Sequence, residues 1–444
     1  MNFLRNKLKL KYYHLITLGF AGIILFGALL LMTPLASQSG QWTSFLDALF
    51  TSTSSVCVTG LVVHDTATYW SFFGQLVIII LIQIGGLGIV TVITSIALIT
   101  GRKIGYFARS TLANSISISA VGGIVRLTHF IFKITFAVEG FFAILMSFKF
   151  IPDFGLVKGI WYSIFHSISA FCNAGFDLMG VREQYSSLVS YVSNPLINIS
   201  IMLLIVIGGL SFSTWADIKE NKLNFHRYHL QSKIILSMTA ILIIFPAIYF
   251  FIVDFAGMPL GTRILASLFQ SVTPRTAGFN TVDLTKMSES SILLQIILML
   301  IGAAPGSTGG GMKVTTFFVM FKTSIAIFEN SKRSEGFGRT IPENIVRNAA
   351  TIFMLYIGLC IGSAMILSVL ENIPILTAMY ETASAIATVG LTLGITRDLC
   401  SISRIILIIL MFAGRVGGLT LIYGMFPFKK LNLGKKIEEN VAVG

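Results

Sequence analysis

Thr273-Pro274-Arg275-Thr276-Ala277-Gly278-Phe279-Asn280 lies between two long apolar runs and cannot continue either of them as a helix. Pro274 removes a backbone donor, and Gly278 opens conformations that a side chain penalises. The same arrangement recurs at Val58-Thr59-Gly60-Leu61, Asn173-Ala174-Gly175-Phe176 and Thr388-Val389-Gly390-Leu391. In each, a small or polar pair precedes a glycine, and a large apolar residue follows it. Each copy also follows a short amphipathic run and precedes a long apolar one. The glycines at 60, 175, 278 and 390 are spaced by 115, 103 and 112 residues, so one module is used four times.

Composition sets the environment of that module. Of 444 residues, 55% are hydrophobic and only 11% charged, with a mean hydropathy of +0.84. Soluble domains carry about 25% charged residues, so most of this chain is expected to face lipid. The basic segment Met1 to Lys11 is followed by an apolar run long enough to span, expected to be retained rather than cleaved. Cys57, Cys172, Cys360 and Cys400 lack metal-ligand spacing and read as packing residues.

The predicted fold is an all-α polytopic membrane protein of four tandem helix–pore loop–helix repeats. Eight transmembrane helices and four re-entrant pore helices would surround one pseudo-fourfold pore. A span needs about 20 apolar residues. In repeat 1 (12–101), spans 14–33 and 72–100 flank a segment, 42–54, too short and polar to cross. Repeat 2 (127–218) takes 127–148, 159–171 and 195–215; repeat 3 (230–330) takes 230–252, 262–272 and 291–328; repeat 4 (344–428) takes 344–370, 375–387 and 402–425. Each short segment holds a polar residue among apolar ones: Asp47, His166, Gln270 and Glu381. The remainder is a basic N-terminus (1–11), connections at 102–126, 219–229 and 331–343, and a C-terminal tail (429–444).

Arg5, Lys7, Lys9, Lys11, Arg102, Lys103, Lys219, Lys222, Arg339, Lys429 and Lys430, among others, fall in those ends and connections. Fewer basic residues flank the glycine loops. Cytoplasmic segments carry the positive excess, so both termini are expected in the cytoplasm and the glycine loops open from outside. That distribution accounts for the net charge of +13 without a nucleic-acid partner.

Irregular backbone survives at membrane depth only where protein buries it or it lines a water-filled cavity. Four such loops around an axis would aim carbonyl oxygens at one point and replace the hydration shell of a cation. The carboxyl ends of the short helices would add negative potential there. Val58, Thr59, Gly60, Asn173, Ala174, Gly175, Thr276, Ala277, Gly278, Thr388, Val389 and Gly390 are therefore candidate cation-binding residues.

A second pattern lies lower in the second helix of each repeat. Gln83-Ile84-Gly85-Gly86, Val206-Ile207-Gly208-Gly209 and Arg415-Val416-Gly417-Gly418 align as paired glycines for close helix packing. Repeat 3 instead reads Gly302-Ala303-Ala304-Pro305-Gly306-Ser307-Thr308-Gly309-Gly310-Gly311-Met312-Lys313, which should break the helix into a loop beneath the glycine ring, as a gate. Arg415, aligned with Gln83, would sit at the depth of that loop and bond its carbonyls, since charges inside a span face the bundle or water. Glu139 either pairs within the bundle or lies near the outer face. Gly306 to Lys313 lacks the spacing of a nucleotide-binding P-loop, and nothing else in the chain reads as an enzyme.

Cys57 to Leu61, Phe171 to Phe176, Thr273 to Asn280, Ala387 to Thr392 and Pro305 to Gly311 together resemble the Trk/Ktr/HKT family of potassium transporters over practically the whole chain. With no extra spans before the first repeat, the chain is most similar to the membrane subunit of the Ktr branch. The resemblance implies a potassium-uptake subunit of the bacterial plasma membrane, stimulated by sodium in many members. It also implies a homodimer on a cytoplasmic RCK-type regulatory ring, which would hold the nucleotide, ATP or ADP. By the same resemblance Gly60, Gly175, Gly278 and Gly390 are the filter glycines that hold K+, 302–313 is the gating loop and Arg415 its partner. Some plant relatives with serine at the first filter position favour sodium; Gly60 stands there here, so potassium is expected. Two alternatives stay open: a coupled sodium–potassium symporter, and a membrane receptor without conduction.

Overall fold

A computed structural model describes residues 12–92, 110–112, 124–222, 224–331, 333–418 and 420. The basic N-terminus, most of the connection 102–126 and the C-terminal tail lie outside the described residues.

The described chain is mostly helical and runs one sequence of elements four times. A long helix comes first, then a shorter one, then a glycine loop, then a helix of 13 to 16 residues. The first set is α1 (Tyr12–Met32), α2 (Phe45–Val56) and α3 (Phe72–Leu87). The second is α4 (Ile124–Phe154), α5 (Leu156–Phe171) and α6 (Pro195–Gly209), with α7 (Phe212–Asn221) after it. The third is α8 (Leu230–Val253), α9 (Leu260–Val272), α10 (Glu289–Ile301) and α11 (Val314–Phe328); the fourth is α12 (Glu343–Glu371), α13 (Ile375–Ile386) and α14 (Ser401–Val416). A two-stranded hairpin, β1 (Glu335–Gly336) and β2 (Arg339–Thr340), joins α11 to α12.

The boundaries follow local chemistry. Ser71, Asn194 and Ser288 cap α3, α6 and α10 with side-chain oxygens that accept backbone N–H groups, and Pro195 takes the first turn of α6. Ser44 does the same for α2. Pro259 and Pro374 stand at the N-caps of α9 and α13, where a missing N–H costs nothing.

Burial is inverted relative to a soluble protein. The long helices leave large apolar side chains outside: Phe26 is 62% exposed on α1, Phe148 70% on α4, Phe245 67% on α8 and Val369 82% on α12. The short helices bury polar groups instead, among them Ser52, Ser54, His166, Ser167, Gln270, Ser271, Glu381 and Ser384. An apolar exterior around a polar centre suits lipid outside and a hydrated path within. The four long helices are each long and apolar enough to cross a membrane. The chain is a multi-pass membrane protein.

The second helices of repeats 1, 2 and 4 were expected to run unbroken through 100, 215 and 425, with their paired glycines serving only packing. They stop at Leu87, Gly209 and Val416. Gly88 and Gly417 take φ of 83° and 91°, and helix resumes directly beyond both. After Gly209 the chain turns by 94° into α7. Left-handed backbone cannot continue a right-handed helix, so Gly88 and Gly417 allow their breaks, whereas repeat 2 breaks where Leu210 turns to extended backbone, φ −76° and ψ 147°. The long interruption in repeat 3 extends a break that all four repeats share.

Candidate functional site

The four glycine loops meet in a closed ring. Built onto Gly60, a Cβ would lie 2.5 Å from the Ala174 carbonyl oxygen; on Gly175 it would lie 2.6 Å from that of Ala277. On Gly278 it would lie 2.3 Å from the Val389 oxygen, and on Gly390 2.1 Å from the Thr59 oxygen. Each loop thus faces the next in chain order, and the fourth returns to the first.

The loops share one backbone trace. Val58, Asn173, Thr276 and Thr388 take φ of 52°, 57°, 69° and 52°, and the glycines two residues on take 91°, 69°, 84° and 92°. Thr59, Ala174 and Val389 donate their N–H to Ser54, Ser169 and Ser384 oxygens, all at 2.8 Å. The Gly60 and Gly390 N–H groups reach the Ser54 and Ser384 hydroxyls at 3.1 and 3.0 Å. Short-helix C-termini therefore hold the loops directly, with their partial negative ends beside the ring. A cavity of about 430 Å³ opens on one side of the ring and is lined by all four glycines together with Asp65, Asp177 and Asp283.

Directly behind the ring runs the segment 302–313. Thr308 donates its hydroxyl to the Gly208 carbonyl at 2.9 Å and that of Phe171 at 3.1 Å. A Cβ on Gly309 would lie 2.2 Å from Thr276 Oγ1, and one on Gly310 2.2 Å from Thr388 Oγ1. The Gly310 N–H donates to Thr388 Oγ1 at 3.1 Å and the Gly311 N–H to the Gly414 carbonyl at 3.2 Å. The segment closes on itself too. Lys313 Nζ donates to the Gly309 and Gly310 carbonyls, both at 2.8 Å, Ser307 to Ala304 at 2.7 Å, and the Val314 N–H to Ala303 at 3.1 Å. Gly302, at φ 72°, ends α10, and the Gly306 carbonyl accepts the Phe212 N–H at 2.9 Å. A second cavity, of about 300 Å³, lies on the far side, lined by Gly306, Ser307, Met312, Lys313 and Arg415 among others.

Arg415 joins this segment to repeat 1. Its guanidinium donates to the Thr308 carbonyl and to the carbonyls of Gly85 and Gly86. Its alignment with Gln83 is corrected, however. Gly85, Gly208 and Gly414 are the equivalent positions, because a Cβ on each would lie within 2.0 Å of the Val56, Phe171 or Ile386 carbonyl, four residues before each ring glycine. Arg415 therefore matches Gly86 and Gly209, three residues from the position assigned by paired glycines. The small-residue spacing Gly85/Gly88, Gly208/Ser211 and Gly414/Gly417 is the signal that carries the right register. Gln83 instead donates to Glu139 at 3.1 Å, which answers where that carboxyl lies: buried between repeats 1 and 2.

The polar residues of the short helices are not equivalent either. His166 and Glu381 stand nine residues ahead of their ring glycines, whereas Asp47 stands thirteen ahead, in the first turn of α2, and pairs with Arg404. The four cysteines form no disulfide.

Comparison with known proteins places this geometry in context. The family model described as TrkH, cation transport protein, matches residues 24–426. The potassium/sodium uptake protein NtpJ of Enterococcus hirae is 41% identical, over 95% of this chain and 94% of its own. The Ktr system potassium uptake protein B of Bacillus subtilis is 36% identical over 94% of both chains, and that of Vibrio alginolyticus 34% over 99% and 96%. The crystal structure of the potassium transporter TrkH from Vibrio parahaemolyticus aligns with a TM-score of 0.74 at 19% identity, covering 94% of this chain and 84% of that one. At that identity the likeness is one of fold.

Proposed function

The chain belongs to the TrkH/Ktr family of cation transport proteins, and from that premise we propose that it takes potassium into the cell through the ring of glycine loops. A potassium ion at the ring exchanges its hydration shell for loop carbonyl oxygens, those of Thr59, Ala174, Ala277 and Val389 among them. The observation that carries this reading is the closure of the ring, in which each glycine abuts the carbonyl that precedes the next glycine. Side chains at these positions would fill the space the carbonyls occupy.

In this reading eight helices cross the membrane, the four short helices enter and leave from outside, and both chain ends are cytoplasmic. The four long apolar helices and the basic connections support it. The segment 302–313, with Lys313 and Arg415, acts as the gate between the two cavities. Its bonds to the second and fourth repeats support that role, as does Arg415 holding it to the first. The membrane potential supplies about 2.3 kcal/mol per charge per 100 mV, enough for roughly 40-fold accumulation without ATP. Relatives named as protein B of a Ktr system support a partner subunit here too. We assign the nucleotide to that cytoplasmic ring, and the membrane chain to a homodimer.

The test is rubidium uptake in a bacterium stripped of its own potassium uptake systems, with the intact chain and Gly278→Ser side by side. Uptake by the intact chain that is lost, or becomes sodium-permissive, in the variant is the expected result. No uptake by the intact chain, with a matching regulatory subunit supplied, would overturn the reading. Because one relative is named for both potassium and sodium, the assay is run with and without sodium and repeated with labelled sodium. Sodium entry in fixed proportion to rubidium would favour the symporter.

A further inference from the structure

Glu381 lies in α13, nine residues ahead of Gly390, and is fully buried. It accepts the Thr392 hydroxyl on Oε1 and the Thr396 hydroxyl on Oε2, the latter at 2.9 Å, and the Leu393 N–H also points at it. Thr392, Leu393 and Thr396 themselves line the cavity above the ring. The carboxyl group is therefore one hydrogen bond behind the cavity wall, beside the outer limb of the fourth loop.

All three groups can donate to the carboxyl oxygens, the pattern that an ionised carboxylate takes, and Thr396 Oγ1 also lies 2.9 Å from Thr392 Oγ1, which ties the two braces together. None of the ion pairs among the described residues includes Glu381. A carboxylate held away from water without a counter-charge is costly, so a brace alone does not call for one. The second repeat makes the comparison. His166, also nine residues ahead of its glycine, holds Tyr162 O at 2.7 Å through Nδ1 and accepts the Leu178 N–H on Nε2 at 3.3 Å. Those partners set a neutral imidazole with its proton on Nδ1. The same brace is thus built neutral behind the second loop and as a carboxylate behind the fourth, which stands across the ring from it.

Resting on the conduction path proposed above, we infer that Glu381 is an affinity-determining residue for the transported cation. Its counter-charge is the cation itself, drawn to the ring and the cavity above it through the layer of Thr392, Leu393 and Thr396. It positions the fourth loop and supplies negative charge at the place where the second repeat has a neutral imidazole.

The experiment measures the rubidium concentration that half-saturates uptake in whole cells for the intact chain, Glu381→Gln, Glu381→Asp and Thr396→Val. The amide keeps the size and one acceptor oxygen but removes the charge. A rise of about five- to tenfold in half-saturation for Glu381→Gln is expected, with the maximal rate within about twofold. Glu381→Asp, which keeps the charge, and Thr396→Val, which removes one brace bond, should each raise half-saturation much less than the amide does. Half-saturation unchanged in Glu381→Gln, or raised as much by Thr396→Val, overturns the inference. If Glu381→Gln does not reach the membrane, Glu381→Asp decides: near-intact half-saturation supports the charge, and a rise like that expected of the amide overturns it. Failure of the intact chain to take up rubidium would instead strike the proposed function. Loss on Gly278→Ser with an unaltered Glu381→Gln would sink this inference alone.

Discussion

At the scale of single residues, glycine serves two separate purposes here. In the ring, Gly60, Gly175, Gly278 and Gly390 combine left-handed backbone with a neighbour's carbonyl where Cβ would stand. In the helices beside the ring, Gly85, Gly208 and Gly414 have ordinary helical backbone, and only the close approach of a short-helix carbonyl requires them. Gly414→Ala would drive a methyl to 2.0 Å from the Ile386 oxygen. A loss of about 1–3 kcal/mol is expected, read as a lower melting temperature of the detergent-purified protein. Gly22→Ala, on α1 with nothing within 4 Å of the added methyl, should leave that temperature unchanged or slightly raised. Equal melting of the two variants would refute the packing argument. The ring glycines were legible in the sequence because a motif surrounds each one. The register of Gly414 was not, since it depends on which carbonyl each glycine faces, and two overlapping glycine patterns gave different alignments.

At the scale of elements, the segment 302–313 gains its position from neighbours rather than from its own fold. Thr308 is its firmest anchor to repeat 2, through the Gly208 and Phe171 carbonyls, while its own carbonyl receives Arg415. Thr308→Val keeps the shape and removes the one hydroxyl hydrogen that the Gly208 and Phe171 carbonyls share. If the segment is the gate, the variant should raise the maximal rate of rubidium uptake a few-fold, since the lost bond is worth about 1 kcal/mol, with half-saturation unchanged. A rate at or below that of the intact chain would argue that the segment does not limit flux. The sequence marked this loop plainly, through four glycines in six residues after Pro305. It gave no comparable sign of the breaks after Leu87, Gly209 and Val416, because an apolar run looks the same whether a single residue outside helical backbone divides it or not.

At the scale of the molecule, each repeat is pinned to the next. Trp161 donates to Gln75 at 2.8 Å between the first two, the Leu188 N–H to the Asn280 carbonyl at 2.9 Å between the second and third, and Tyr380 to Gln295 between the third and fourth. The last seam joins residues 357 apart in sequence, where Arg404 donates to Asp47 at 2.7 Å. His64 also contacts Asp47, at 3.3 Å, and stacks on Tyr69. Because this seam closes the circle, a double-mutant cycle of Asp47→Asn and Arg404→Gln should show a coupling of about 1 kcal/mol in the melting of the purified protein. Additive effects would mean that apolar packing alone shuts the ring.

The sequence by itself determined the membrane class, the fourfold repetition, the loop residues and the family. These follow from composition, spacing and short motifs, which are local properties of the chain. Tertiary structure alone decided how the repeats face one another. It put each glycine against the carbonyl of the following loop, set Arg415 level with Gly86, paired Asp47 with Arg404, and gave Glu381 no ion pair among the described residues. Such contacts join residues about a hundred or more positions apart. They arise from packing four similar units around an axis, where a shift of one helical turn exchanges which side chain meets which carbonyl, and no single repeat records that choice.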